Sequence, residues 1–168
     1  MDQVTFGVVG SGFMGTVLAQ TASQLPYARC VGVADIDIRR ADTLARSAGC
    51  GAYEDFRQML AQQRPKAVII ATPEDLHLGP AIAAAEHGCD IFLEKPMATS
   101  LQDADEIVNA CGRYGVKLMM GHLLRFEVNY AMIESAVREG SIGRFLSAYA
   151  RRITPISESR RLDGRVSP

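Results

Sequence analysis

The stretch Gly7–Gly15, GVVGSGFMG, constrains the fold of this chain more than any other part of the sequence. It contains Gly10, Gly12 and Gly15 in the spacing G-x-G-x-x-G, directly behind the apolar run Val4–Val9. Alone, such a triplet is a weak signal, because Gly-rich turns are common. Between a strand and a helix it has a specific use, because the first glycine permits a tight turn, the second lets a phosphate approach the backbone and the third lets helix and strand pack closely.

The residues around the triplet alternate between short apolar runs and amphipathic stretches, an order that predicts βαβ units and a parallel sheet. The run AVIIA at 67–71 is apolar at every position, as expected for a strand covered on both faces. Gly49 and Gly88 are the expected ends of two helices, Pro65 breaks a third, and Ser100 is the expected N-cap of a fourth. Strands are predicted at 4–10, 30–34, 51–53, 67–71, 90–93 and 117–120, and helices at 13–25, 38–48, 55–62, 76–87 and 100–113.

The residues after Gly121 differ in character. A helix is predicted over 127–139 and a longer strand over 144–153, RFLSAYARRI, while the polar, basic tail 154–168 shows no periodicity. One helix and one strand cannot close a second core, and a lone strand has an unpaired edge. The sequence therefore predicts a doubly wound domain over 1–121 and the incomplete beginning of another over 122–168.

Composition excludes several classes of protein. The net charge of −1 gives no general attraction to nucleic acid or to an acidic membrane surface, and the arginine pairs at 151–152 and 160–161 lack interleaved aromatic residues. The apolar runs are too short to span a bilayer, and a strand so close to Met1 leaves no room for a signal peptide. No C-x-x-C pair is present, so we expect no metal site and reduced, mostly buried thiols in a cytoplasmic protein at Cys30, Cys50, Cys89 and Cys111.

Asp35 ends the second predicted strand, twenty positions after Gly15. A carboxylate there can accept hydrogen bonds from both ribose hydroxyls of an adenosine group and would repel a 2′-phosphate, which favours NAD over NADP. Arg39 and Arg40 follow closely and could soften that preference. Two alternatives to an NAD site are open. The stretch could be a glycine turn followed by an Asp that caps the next helix, or an adenosine site of the kind found in methyltransferases. The predicted cofactor site also includes the other residues of the turn, Ser11, Phe13 and Met14.

Three later stretches narrow the class further. ATPEDLH at 71–77 follows the fourth predicted strand, EKP at 94–96 follows the fifth, and GHLLRF at 121–126 follows the sixth. In doubly wound sheets, ligands bind outside the carboxyl ends of the strands. Together with GVVGSGFMG and Asp35, these stretches resemble the glucose–fructose oxidoreductase / inositol dehydrogenase / MocA (Gfo/Idh/MocA) family over essentially the whole chain.

The resemblance implies a nicotinamide cofactor held in a Rossmann domain, and an NAD-dependent dehydrogenase of sugars, cyclitols or related hydroxy compounds. The implied fold class is α/β: a doubly wound parallel sheet over 1–121, followed by the truncated start of an α+β substrate domain over 122–168. It further implies a small polyol or sugar substrate and a homo-oligomer, without a nucleic-acid or membrane partner.

The resemblance also assigns roles to residues of the cofactor site. Thr72 and Pro73, which follow Ala71, would line the pocket near the ribose and pyrophosphate. His77 would brace their loop, although packing alone is an open alternative. Glu94 would contact the ribose on the nicotinamide side.

Three residues are implied to act on the substrate. Lys95 would point at the substrate hydroxyl or carbonyl, where an ammonium stabilises oxyanion charge and can pass a proton; a solvated lysine is the alternative. Arg125, and with less support His122, would border the substrate pocket. A salt bridge at the domain junction is the alternative role for Arg125, and a role outside the pocket stays open for His122.

The chain departs from the family in one respect. The proton-transferring histidine of the family, which follows an Asp by about one helical turn, has no counterpart among His77, His87 and His122. A general base contributes about two to four orders of magnitude, so catalysis by this chain alone is expected to be impaired. Three explanations are open. The chain could be a fragment or engineered truncation, or a natural short form that serves as a non-catalytic dinucleotide-binding sensor or regulator. Alternatively, two chains could complete each other's sheet. The first is favoured.

Overall fold

The computed structural model describes residues 3–151 and 153. The strands are β1 Val4–Val9, β2 Ala28–Ala34, β3 Gly51–Tyr53, β4 Ala67–Ile70, β5 Asp90–Leu93 and β6 Leu118–Met120. The α-helices are α1 Phe13–Ser23, α2 Ile38–Ala48, α3 Phe56–Gln63, α4 Leu78–Glu86, α5 Leu101–Tyr114 and α6 Val128–Arg138, with 3-10 turns at Glu74–Leu76 and Leu123–Phe126. Each of these strands and α-helices begins and ends within two residues of its predicted position.

The strands form one parallel sheet of order β3-β2-β1-β4-β5-β6. The chain builds the sheet outwards from β1, first through β2 and β3 and then through β4, β5 and β6. The connections reverse direction between β1 and β4, which is where a doubly wound sheet opens a crevice at the carboxyl ends of its strands. The predicted α/β, Rossmann-type fold is confirmed.

Helices cover both faces of the sheet. On β1, the side chains of Phe6 and Val8 pack with α1 and α2, whereas Val9 packs on the opposite face with α3, α4 and α5. Successive strand residues point to opposite faces, so each apolar strand contributes to both layers of the core. The central strands are consequently among the most buried parts of the chain, as in Val33, Val68 and Ile70.

The helix ends follow the predicted capping residues. The Ser100 hydroxyl accepts a hydrogen bond from the Asp103 backbone N–H at 3.1 Å and begins α5. Gly49 ends α2 with a left-handed φ of 67°, a conformation that glycine adopts at little cost. These local signals explain why the boundaries could be read from the sequence.

The chain divides into two compact units, one ending at His122 and the other beginning at Leu123. In the second unit, the Glu127 carboxylate caps α6 by accepting hydrogen bonds from the backbone N–H groups of Asn129 and Tyr130 at 3.1 and 3.3 Å. None of the residues of α6 is buried. Among the described residues, no helix is both long enough and apolar enough for a membrane span.

The predicted strand over 144–153 is wrong, because residues 144–151 and 153 form no strand. Its apolar and aromatic residues, such as Phe145 and Tyr149, favour an extended backbone, but a strand also needs a neighbour for its N–H and C=O groups. The described part of the second unit contains no strand that could pair with it. Position 152 and the basic tail 154–168 lie outside the described residues.

Candidate functional site

The glycine turn joins β1 to α1 at the centre of the crevice. Gly10 has a φ of +89°, and a Cβ there would lie 2.7 Å from backbone atoms of Ala71 and Thr72. A Cβ on Gly15 would overlap the carbonyl oxygen of Gly10. The fold therefore requires both glycines, as predicted from their spacing.

Gly12 is different, because a Cβ at this position would meet no atom within 4 Å. It is the N-cap of α1, and it offers no side chain to satisfy the first N–H groups of the helix. These groups carry the positive end of the helix dipole and suit a phosphate. Phe13 and Met14 start the helix beside them, with Phe13 58% exposed. The open space in front of Gly12 is thus suited to a phosphate rather than to packing.

Asp35 follows β2 and is tied to the glycine turn. Its Oδ2 accepts hydrogen bonds from the Ser11 backbone N–H at 2.7 Å and from the Ser11 hydroxyl at 2.9 Å, while Oδ1 accepts one from the Asp37 N–H at 2.9 Å. A carboxylate offers about four lone-pair sites, so the fixed Asp35 keeps acceptor capacity for a ligand hydroxyl.

Arg39 and Arg40 both interact with Asp37, a residue that was not among those predicted to form the site. Their Nε atoms lie 3.2 and 3.6 Å from its carboxylate oxygens. The hydrogen bond from Arg39 lowers the pKa of the Asp37 carboxyl, and the charge of Arg40 lowers it further. Both arginines thus have a carboxylate partner other than Asp35, and the spacing D-x-D with two following arginines was the signal for this arrangement.

Thr72 follows β4 and carries a buried hydroxyl. Among residues 3–151 and 153, its Oγ1 has no hydrogen-bond partner. A buried polar group left without a partner costs about 1 to 3 kcal/mol, so a ligand that hydrogen-bonds here would recover that energy. The adjacent Pro73 is exposed, and Ala71 donates its N–H to the Val9 oxygen at 2.8 Å.

His77 is 1% exposed and connects two loops of the crevice. Its Nε2 lies 3.0 Å from the Thr72 carbonyl oxygen, and its Nδ1 lies 3.2 Å from the Met97 carbonyl oxygen. A neutral imidazole can donate to one of these oxygens, and a protonated one to both. The contact with Met97 could not be read from the sequence. It joins the loop after β4 to the loop after β5.

Glu94 follows β5 and is 6% exposed. Its Oε2 accepts a hydrogen bond from the Lys95 N–H at 3.1 Å. A Cβ on Gly121 would lie only 2.8 Å from Oε1, so the carboxylate fits because residue 121 lacks a side chain. Gly121 itself donates its N–H to the Leu93 oxygen at 2.7 Å, which fixes it against β5.

The three candidate substrate residues are placed differently. Lys95 is exposed, precedes a cis bond to Pro96, and its ammonium has no ion pair or hydrogen bond among the described residues. His122 is exposed just after β6, and its N–H donates to the Met120 oxygen at 2.7 Å. Arg125 belongs to the second unit, in the turn Leu123–Phe126, so its predicted role stays a prediction.

The carboxyl ends of the strands therefore hold an open space at a helix N-terminus, a fixed acid after β2, a buried hydroxyl without a partner among the described residues after β4, and a buried acid after β5. Within the described residues, no group of three or more His, Cys, Asp or Glu side chains could hold a metal ion. This fold and site define a dinucleotide-binding domain of the Rossmann type.

Comparison with known sequences identifies the family. The model of the Gfo/Idh/MocA family, described as an oxidoreductase family with an NAD-binding Rossmann fold, matches residues 4–122. The chain belongs to this family, and the resemblance stated from its motifs is confirmed.

Individual relatives show the same relationship. The chain is 36% identical over 152 residues to a 2,7-anhydro-N-acetylneuraminate hydratase of Mediterraneibacter gnavus, a match covering 90% of this chain and 40% of the relative. It is 33% identical over 144 residues to an inositol 2-dehydrogenase of Rubrobacter xylanophilus, covering 84% and 42%. Among solved structures, the WlbA dehydrogenase of Bordetella pertussis in complex with NADH and UDP-GlcNAcA matches with a TM-score of 0.80 at 29% identity, covering 84% of this chain and 44% of that one. The chain thus spans less than half the length of these relatives.

Proposed function

We propose that this chain forms the NAD-binding part of an oxidoreductase that acts on a sugar, a cyclitol or a related hydroxy compound. The observation that carries the proposal is the open space in front of Gly12, bounded by two glycines that the fold requires and by an Asp35 carboxylate fixed against the turn. The family and the names of the relatives support the substrate class.

Each part of the site has a role in holding the dinucleotide. The N–H groups at the start of α1 would bind the pyrophosphate, Asp35 the adenosine ribose, and the buried hydroxyl of Thr72 a ribose or phosphate oxygen. Glu94 would accept a hydrogen bond from the second ribose. When bound, the nicotinamide accepts or donates a hydride. The free ammonium of Lys95 would stabilise oxyanion charge on the substrate and pass a proton.

We infer that NAD is preferred over NADP. The negative charge of Asp35 would repel a 2′-phosphate, and both nearby arginines are already engaged by Asp37. They would have to leave this partner to neutralise the additional phosphate. The preference should therefore weaken when the charge at position 35 is removed.

We expect turnover by this 168-residue chain alone to be slow. Two of its three histidines are engaged elsewhere: His77 is buried between two carbonyl oxygens, and His87 sits at the end of α4 with Nδ1 2.8 Å from the Ala83 oxygen. Neither is placed to take a proton from a substrate. We further propose that the protein is cytoplasmic and homo-oligomeric, which fractionation and analytical ultracentrifugation would test.

Titration of NADH into the purified chain tests cofactor binding, with nicotinamide fluorescence as the signal and NADPH in parallel. The chain contains no Trp, so protein emission interferes little. Saturable binding with tighter affinity for NADH is expected. Equal affinity for both would reject the stated preference, and absence of binding would reject the cofactor site.

An activity assay separates the enzyme from a non-catalytic sensor. The chain is incubated with NAD and a panel of cyclitols and sugars, and NADH formation is followed by absorbance. Slow, substrate-dependent formation that increases with protein concentration is expected. NADH binding without turnover of any compound in the panel would favour a dinucleotide sensor.

A further inference from the structure

Two cysteines lie side by side at the amino-terminal side of the sheet, and the cofactor site uses neither. Cys30 belongs to β2, and Cys50 lies between Gly49, which ends α2, and β3. Their sulfur atoms are 3.6 Å apart. Cys30 is buried at 5% exposure, whereas Cys50 is partly exposed. Twenty residues separate them in the sequence, so only the pairing of β2 with β3 brings them together.

The distance is short enough for a covalent bond. A disulfide has an S–S length of about 2.05 Å, so the sulfurs must approach by about 1.5 Å. Rotation of a cysteine side chain moves its sulfur by more than this. Cys50 is partly exposed to solvent, while Cys30 is buried in the core and lies with its sulfur 3.8 Å from the Gly32 carbonyl oxygen.

The two thiols also differ in acidity. Once Cys50 has lost its proton, the Cys30 thiol can donate a hydrogen bond to the Cys50 thiolate, and this lowers the pKa of Cys50. The same interaction and burial raise the pKa of Cys30. The more exposed sulfur is thus also the one that ionises first, which is the combination found in cysteines that react with oxidants.

The other two cysteines lack these properties. Cys89 has no exposure, its thiol donates to the Pro65 oxygen at 3.1 Å, and burial raises its pKa to about 11. Cys111 is buried, and burial also raises its pKa. They serve as internal controls, because they experience the same oxidant in the same molecule.

We propose that Cys30 and Cys50 form a reversible intramolecular disulfide, in which Cys50 reacts first and Cys30 resolves the product. With a peroxide as oxidant, the Cys50 thiolate attacks an oxygen of the O–O bond, which breaks and releases hydroxide that takes up a proton to form water. The sulfur of Cys30 then attacks the resulting sulfenic acid, forming the S–S bond and breaking the S–O bond. The leaving hydroxide departs with the Cys30 proton as water. Two thiols lose two electrons, hydrogen peroxide becomes two waters, and a dithiol reductant reverses the change.

The bond would join β2 to the residue between α2 and β3, away from Asp35 after the carboxyl end of β2 and from Asp37 at the start of α2. NADH affinity should therefore change by less than about twofold on oxidation, since the acids keep their hydrogen bonds. The oxidised chain should unfold at higher denaturant concentration than the reduced chain, because the cross-link restricts the unfolded state.

The test treats the purified full chain with stoichiometric hydrogen peroxide and analyses a non-reduced digest by mass spectrometry. We expect one cross-linked peptide pair containing Cys30 and Cys50, an intact mass lower by two hydrogen atoms, and full reversal by a dithiol reductant. Oxidation at Cys89 or Cys111 as often as at the pair would overturn the proposal. So would a Cys50–Cys50 bond between two chains as the main product.

Single variants test the order of the two steps. In Cys30→Ser, the sulfenic acid on Cys50 has no resolving thiol and should be trapped by a carbon nucleophile such as a 1,3-diketone. In Cys50→Ser, Cys30 should stay reduced, and the control Cys111→Ser should cross-link like the unchanged chain. If Cys30→Ser unfolds, the digest of the unchanged chain still decides whether the bond forms. Trapping on Cys30 in Cys50→Ser would refute the assigned order.

Discussion

Asp35 accepts two hydrogen bonds from Ser11 into a single carboxylate oxygen, one from the backbone N–H at 2.7 Å and one from the hydroxyl at 2.9 Å. The carboxylate therefore has two tasks, because it shapes the glycine turn and also presents negative charge where an adenosine ribose would lie.

Asp35→Ala should raise the Kd for NADH by at least about tenfold, because hydrogen bonds to a charged group are worth about 1.5 to 3 kcal/mol. The Kd for NADPH should rise less, since the repulsion of its 2′-phosphate disappears. Parallel fluorescence titrations measure both constants. Asp42→Ala is the matched control, because Asp42 pairs with the exposed Arg46 at 2.7 Å on the same helix. An unchanged ratio of the two constants would refute the role of Asp35 in selectivity.

Gly12 and Gly15 should respond differently to the same added methyl group. Gly15→Ala places a Cβ against the Gly10 carbonyl oxygen and should lower the free energy of unfolding by about 3 kcal/mol. Gly12→Ala has room for the methyl group and an extended backbone that alanine adopts, so it should fold normally and bind NADH at least about tenfold more weakly. Urea unfolding and NADH titration distinguish the two. Normal NADH affinity in Gly12→Ala would show that no phosphate lies there.

The boundaries of the strands and helices were predictable because their signals are local. Apolar runs such as 67–71 and caps such as Ser100 and Gly49 act within a few residues, and the structure follows them. The prediction of a strand over 144–153 was wrong because apolar and aromatic composition indicates only a preference for an extended backbone, while a strand also needs a partner. The contact of His77 with Met97 and the pair Cys30–Cys50 depend on how strands order themselves in the sheet, and no spacing in the sequence encodes that order.

His77→Ala should destabilise the fold by about 2 to 4 kcal/mol, because it removes a buried side chain that contacts the Thr72 and Met97 carbonyl oxygens and donates a hydrogen bond to at least one of them. Urea unfolding measures this change. His87→Ala is the control, since His87 is exposed and contacts only the Ala83 oxygen of its own helix end. Equal effects of the two substitutions would show that the link between the crevice loops contributes nothing to stability.

Gly121→Ala should displace the Glu94 carboxylate, because the new Cβ would lie 2.8 Å from its Oε1. Since Glu94 is proposed to hold the nicotinamide-side ribose, the Kd for NADH should rise several-fold, about 1 kcal/mol. AMP contains the adenosine ribose but lacks the nicotinamide-side ribose, so its affinity should stay unchanged, and it serves as the control ligand. A similar loss for AMP would mean that the substitution disturbs the whole crevice rather than Glu94.

Lys95→Ala should leave the Kd for NADH within about twofold of the unchanged chain, because the Lys95 ammonium contacts nothing among the described residues. Any substrate-dependent turnover should fall by about a hundredfold, the typical contribution of a proton-transferring group. Lys117→Ala provides an exposed lysine as the control. A large loss of NADH affinity in Lys95→Ala would assign the residue to cofactor binding instead.

The position of β1 between β2 and β4 has a consequence for dividing the chain. One half of the crevice comes from the residues before the break at Pro65, and the other half from those after it. The exposed residues Gln62–Arg64 lie between these halves. Two polypeptides separated there would each lack a wall of the cofactor site. NADH fluorescence would then report their reassembly, which makes this domain a candidate for a split-protein sensor whose signal is cofactor binding itself.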